Sequence, residues 1–249
     1  MGNIIIEKKM IEVAKTLNKN KKIMLLSDIN QGNRIVSYNN LLQKIKDSDP
    51  NYIIILGNLI NKKGFDLNLV KKLIIDLANI TETFICPGKN EKEFLEKSRL
   101  LSWFYELNYF DNVYTLDNEI FVCGDVCFTS FSPSYESYSI KDPSKRSEII
   151  LKDYKKAYFD KEKNDNYFEI LLTPSSSIFC SLDIKNLFSN RYDFIFSGYN
   201  KAFPLIEDYP NIYINKEFRK FKNEGIGYNF LEKFNDYHIS EITLTKTYN

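Results

Sequence analysis

The 249-residue sequence holds a single histidine, His238, and a single tryptophan. Imidazole is the side chain that most often serves as general base and metal ligand, so this scarcity leaves no room for a site built on several histidines. The four cysteines, Cys86, Cys123, Cys127 and Cys180, form no CxxC pair, which argues against a structural zinc. Cys123 and Cys127 would share one face of a strand yet sit too far apart to bridge, so reduced, buried thiols are expected. No run reaches the ~18 apolar residues of a membrane span. The net charge is +1, from 34 basic and 33 acidic residues. No whole-molecule field draws the chain to nucleic acid or membrane, although a local patch is compatible with that balance. The opening Met1 to Ile6 lacks the basic, apolar and small-residue order of a signal peptide. Ile6 stands where myristoylation at Gly2 asks for Ser or Thr. These absences predict a soluble, cytoplasmic protein.

What is present is ordinary for a globular chain: 43% hydrophobic and 27% charged residues. The 17 tyrosines and 19 phenylalanines accompany abundant Lys, Asn and Ile, a pattern of coding bias, and they cluster nowhere into a ligand surface. The length suits one large domain or two small ones. No linker or repeat divides it, so a single domain over 1–249 is expected, with residues 1–21 as an N-terminal extension and 22–246 as the core.

Hydrophobic periodicity gives the elements. Residues 3–15 read as a helix or as two short strands around Glu7-Lys8-Lys9, with β-branched content favouring strands. Short, wholly apolar runs at 23–26, 52–56 and 83–86 read as buried strands. Helical spacing at 37–47 and 66–78 separates them, and this βαβαβ order predicts parallel pairing with right-handed crossovers. A helix is expected over 91–107. Short strands follow at 113–116, 119–123 and 126–131, in an antiparallel or mixed sheet. Residues 132–147 read as a long loop that caps a crevice or forms a partner surface. Then come a helix over 148–160, strands at 168–172 and 193–197 flanking a helix at 181–189, and a tail with 211–215, a turn at Gly225 to Gly227 and an alternating strand at 237–245.

Five apolar runs end in polar loops: Ser27-Asp28-Ile29-Asn30, Gly57-Asn58, Pro87-Gly88-Lys89-Asn90-Glu91, Thr173-Pro174 and Ser197-Gly198-Tyr199-Asn200-Lys201. In open α/β sheets ligands bind at the carboxyl ends of the strands, so these loops are expected to converge on one crevice.

In order and wording the loops resemble those of the calcineurin-like metallophosphoesterases, above all the small bacterial phosphodiesterase branch. That family reads Asp-x-His, Gly-Asp, Gly-Asn-His-Asp/Glu, a lone His, and Gly-His-x-His. The resemblance covers roughly residues 22–246 and extends to Glu241-Ile242-Thr243-Leu244 in the last strand. It implies an α/β fold of two facing mixed β-sheets flanked by helices, a four-layer sandwich. It also implies a two-metal mechanism in which the metals generate hydroxide and clamp phosphate oxygens. Against that pattern, Asn30 stands for a His, Asn58 for the bridging Asp, Lys89 for Asn and Asn90 for the catalytic His. Pro174, Tyr199 and Lys201 replace the remaining histidines, and Glu91 matches the closing acid. A one-residue slip would instead make Asn90 the Asn ligand and Glu91 the His replacement.

Asp28 is then the one strong surviving ligand, and neutral amide oxygens bind hard cations weakly. No catalytic residue and no resident cofactor are expected; the alternative is a single weakly bound Mn or Mg. Lys89 and Lys201, with Asn58 and Asn90, form a candidate metal-free anion site. Drift toward polar loop residues explains the same substitutions. His238 lies outside the five loops and is read as structural. The sequence therefore points to a catalytically inactive member of the family, acting through an unidentified protein partner or as a structural component. The rivals are an atypical phosphoesterase and an unrelated α/β binding protein whose loops match by chance.

Overall fold

The segments Lys21–Leu26 (β2), Tyr52–Leu56 (β3) and Glu82–Cys86 (β4) form adjacent parallel strands. Their side chains must pack on both faces, which explains runs such as Tyr-Ile-Ile-Ile-Leu with no polar residue. The computed structural model describes residues 4–13, 17–27, 29, 38–60, 66–97, 101–158, 164–198, 209, 211–215 and 237–246. Its helices are Tyr38–Ser48 (α1), Leu67–Ala78 (α2), Lys89–Lys97 (α3), Leu101–Glu106 (α4), Tyr135–Ser139 (α5), Pro143–Tyr158 (α6) and Leu182–Arg191 (α7). The remaining strands are Ile4–Val13 (β1), Val113–Thr115 (β5), Ile120–Cys123 (β6), Val126–Ser130 (β7), Phe168–Thr173 (β8), Phe194–Ser197 (β9), Ile212–Ile214 (β10) and Tyr237–Lys246 (β11).

Two mixed sheets result, in the orders β1-β11-β2-β3-β4-β5 and β10-β9-β8-β7-β6. Side chains alternate across β2: Met24 and Leu26 join the helix-facing core with Leu41, Ile45, Leu73 and Ile74. Ile23 and Leu25 join the core between the sheets, with Phe84, Phe128, Ile170 and Phe196. A third cluster packs α6 and α7 on the outside of the second sheet through Tyr154, Phe188, Leu171 and Ile195. This gives the expected four layers of helices, sheet, sheet and helices. No helix among the described residues is long and apolar enough to cross a membrane.

Several boundaries differ from the sequence reading. The N-terminal segment is one continuous ten-residue strand rather than two, because Glu7, Lys8 and Lys9 lie at a sheet edge where charged side chains reach solvent. The expected helix over 91–107 is two helices, α3 and α4. Residues 132–147 are not a loop throughout. They contain α5 and the first turn of α6, which starts at Pro143 with Asp142 accepting from the Ser144 and Lys145 amides. Cys123 and Cys127 lie on the two strands of the β6–β7 hairpin rather than in one strand, and all four cysteines are free. The turn at Gly225 to Gly227 lies outside the described residues.

Candidate functional site at the carboxyl ends of the strands

The loops after β3, β4, β8 and β9 meet backbone to backbone. Gly57 has φ +70°, and a Cβ there would stand 2.7 Å from both Gly88 Cα and Pro174 Cβ. A Cβ on Gly88 would stand 2.6 Å from the Asn58 nitrogen, and one on Gly198 would stand 2.2 Å from the Pro174 oxygen. Only glycine fits where main chains approach this closely. Hydrogen bonds from Ser176 N to Gly198 O (2.8 Å) and from Gly198 N to Thr173 O (2.9 Å) complete the junction.

Glu91 is the centre of this junction. It is 3% exposed, and its carboxylate accepts backbone N–H bonds from Gly88 (2.8 Å), Asn58 (2.9 Å) and Ile60 (2.9 Å). The bond from Gly88 is the reach of a third-position glutamate back to the residue that caps α3, since Lys92 N donates to Gly88 O. The other two bonds cross to the loop after β3, where Asn58 follows Gly57 in the left-handed region at φ +53°. That turn directs the Asn58 and Ile60 amides at the carboxylate. Burial pushes the Glu91 carboxyl above its ordinary range, and the backbone N–H bonds pull it partly back.

The structure brings together five of the nine site positions: Asn58, Lys89, Asn90, Glu91 and Pro174. Asn90 donates its side-chain amide to Ile60 O at 2.8 Å, a second tie between the same two loops. Lys89, the first residue of α3, holds its ammonium 6.0 Å from the centre of the Tyr135 ring. Pro174 is buried against Gly57 and Gly198. Asp28, Asn30, Tyr199 and Lys201 lie outside the described residues. His238 lies on β11 in register with Ile5, two residues before Ser240, which pairs with Leu25 near the carboxyl end of β2.

Two features escaped the sequence reading. The first is a buried relay between the sheets. Tyr213 OH donates to Ser240 Oγ (2.9 Å), Ser240 Oγ to Asn215 Oδ1 (2.5 Å), and Asn215 Nδ2 to Ser27 Oγ (3.1 Å). Asn215 N also donates to Ser197 O at 2.7 Å. Ser27, at the end of β2, is thereby tied to β9, β10 and β11. The second is the wall formed by residues 131–139. Ser132 Oγ donates to Pro87 O at 2.8 Å, and α5 packs on α3. The Tyr138 hydroxyl is buried without a hydrogen-bond partner. Burial first, then the charges of Glu91 and Asp117, raises its pKa.

The donors at the described positions do not fit a two-metal centre. Such a centre needs several carboxylates and neutral imidazoles facing a common point. Here the one carboxylate, Glu91, is turned onto backbone amides, the Asn90 amide is turned onto a carbonyl, and Pro174 has no donor atom. The buried hydroxyls of Thr173, the last residue of β8, and of Ser176, in the turn beyond it, have no hydrogen-bond partner but are neutral. Among the described residues no three His, Cys, Asp or Glu side chains gather as metal ligands.

The two facing mixed sheets, the helices outside them and the junction at the strand ends define an α/β sandwich of the phosphoesterase type. Comparison with protein families agrees: residues 21–198 match the calcineurin-like phosphoesterase family, and the chain belongs to that family. Among solved structures, one crystal structure aligns with TM-score 0.50 and 14% sequence identity, covering 80% of this chain and 93% of the other. At that identity the likeness concerns the fold alone. No curated protein matches the chain.

Proposed function

We infer that this chain is a catalytically inactive calcineurin-like phosphoesterase that works through protein binding or as a structural component. The observation that carries the reading is the set of replacements Asn58, Asn90 and Pro174, because none of them supplies a charge to hold a divalent cation and the Asn90 amide is turned onto Ile60 O. Glu91, which keeps the family's closing acid, joins the two loops through backbone amides. A metal-free anion site remains part of the proposal. It rests on Lys89 at the start of α3, where the helix N-terminus favours negative charge, and on Lys201 by sequence.

The test is turnover of phosphodiester and phosphomonoester substrates with millimolar Mn2+, in the full chain and in Asp28→Ala. The expected result is no turnover above buffer in either. Mn2+-dependent turnover that vanishes in Asp28→Ala overturns the reading and establishes an atypical phosphoesterase built on a single weak metal.

A further inference from the structure

The edge strand β1 carries a feature that the phosphoesterase fold does not require. It is ten residues long, and among the described residues it ends the first sheet, with β11 on one side and no strand on the other. Long open edges are a template for pairing with another strand. Two apolar side chains here are exposed, Met10 at 73% and Ile5 at 38%. Even-numbered residues face the helices: Ile4 and Ile6 join that core, and Lys8 pairs with Glu241 at 3.3 Å. Odd-numbered residues face the second sheet: Ile11 and Val13 join the inter-sheet core, and Lys9 stands 4.9 Å over the Tyr213 ring.

We propose that β1 is a self-pairing edge, through which two copies of this chain join their first sheets antiparallel across a two-fold axis at Lys8. A two-fold axis perpendicular to the sheet keeps each face on its own side, so opposed residue numbers must sum to an even value. A sum of 16 sets Ile5 opposite Ile11, Ile6 opposite Met10 and Glu7 opposite Lys9, each pair occurring twice. The exposed apolar side chains are covered and the charges are complementary. The two Lys8 side chains that meet on the axis each keep their own Glu241.

The neighbouring registers fail. A sum of 14 sets Glu7 against Glu7, Ile5 against Lys9 and Ile6 against Lys8. A sum of 18 sets Lys9 against Lys9 and Lys8 against Met10. Glu7 and Lys9 thus select one register and one partner, the same strand of a second copy. The proposal does not depend on whether the crevice turns over substrate.

Sedimentation or light scattering across a concentration series tests it. The wild type is expected to dimerise. Glu7→Lys and Lys9→Glu each place like charges opposite one another twice, and each is expected to weaken the dimer about 10- to 100-fold. Mixed in equal amounts, the two variants present opposite charges at every one of these positions, and dimer is expected to return as a heterodimer. Circular dichroism checks that each variant is folded. A wild type that stays monomeric at all concentrations overturns the proposal. So does a dimer indifferent to both substitutions, or two weakened variants that do not recover on mixing.

Discussion

Glu91→Gln is the sharpest test of the strand-end junction. Oε2 of Glu91 accepts from Gly88 and Asn58, and Oε1 accepts from Ile60. Glutamine keeps the shape but makes one of these atoms an NH2 donor. The better orientation leaves the oxygen on the two-bond side and points the NH2 at the Ile60 amide. One buried N–H then has no acceptor, which costs about 1–3 kcal/mol. The two surviving bonds lose charge assistance, on the order of 1 kcal/mol each. Removing a carboxylate whose burial already disfavours its charge offsets part of this. The net expectation is a loss of about 2–3 kcal/mol, or about 4–12 °C in Tm for a chain of this size. Glu91→Ala, which orphans all three amides, is expected to cost more than about 4 kcal/mol. Urea unfolding monitored by circular dichroism measures both, with a lower midpoint and an unchanged slope. A Glu91→Gln variant within about 0.5 kcal/mol of wild type would refute the role assigned to the carboxylate.

Two further substitutions probe other joints. Gly198→Ala puts a Cβ 2.2 Å from the Pro174 oxygen, a main-chain collision that no rotamer relieves. A loss of about 3 kcal/mol, or failure to accumulate folded protein, is expected, and a wild-type Tm would show that the loops do not touch. Asp125→Asn breaks a buried pair with Lys21 (3.1 Å, side chains 7% and 10% exposed). Burial alone would raise the Asp125 carboxyl, but the bonds from Asn18 N–H (2.5 Å) and Lys21 hold it below its ordinary range. Its stabilisation is therefore present above the unfolded pKa near 3.9 and is lost as pH falls through the folded value. The variant should lose about 3 kcal/mol at pH 7, with a flatter acid limb of the stability curve below about pH 4. An acid limb as steep as wild type would show that the pair is not formed.

The parts of this fold that were legible in the sequence are those whose physics is local. β2, β3, β8 and β9 contain short runs buried on both faces, at 23–26, 52–56, 170–172 and 194–196, and burial on both faces writes these as unbroken apolar strings. β1 reads as a helix or as two strands because charges in its middle look like a break, whereas at a sheet edge those charges reach solvent. α5 was missed because Tyr-Glu-Ser-Tyr-Ser is too short to show a helical period and is held in place by packing on α3. At the site, residue identities such as Pro174 were visible, but where their polar groups point was not. Glu91 matched a family position, yet its bonds to Asn58 and Ile60 cross about thirty residues of chain. The relay from Tyr213 through Ser240 and Asn215 to Ser27 left no trace, since its last step spans 188 residues and uses amino acids common in any loop.

The electrostatics of the junction bear on how such a chain keeps its fold. Where carboxylates gather to bind two cations, they repel one another when the metals are absent. Among the described positions here the side chains are neutral, as at Asn58, Asn90 and Pro174, or have their charge absorbed by backbone amides, as at Glu91. Lys89, the one cation among them, is half-buried beside Tyr135. No carboxylate in this set is left without hydrogen bonds, and the loops meet through hydrogen bonds and glycine contacts.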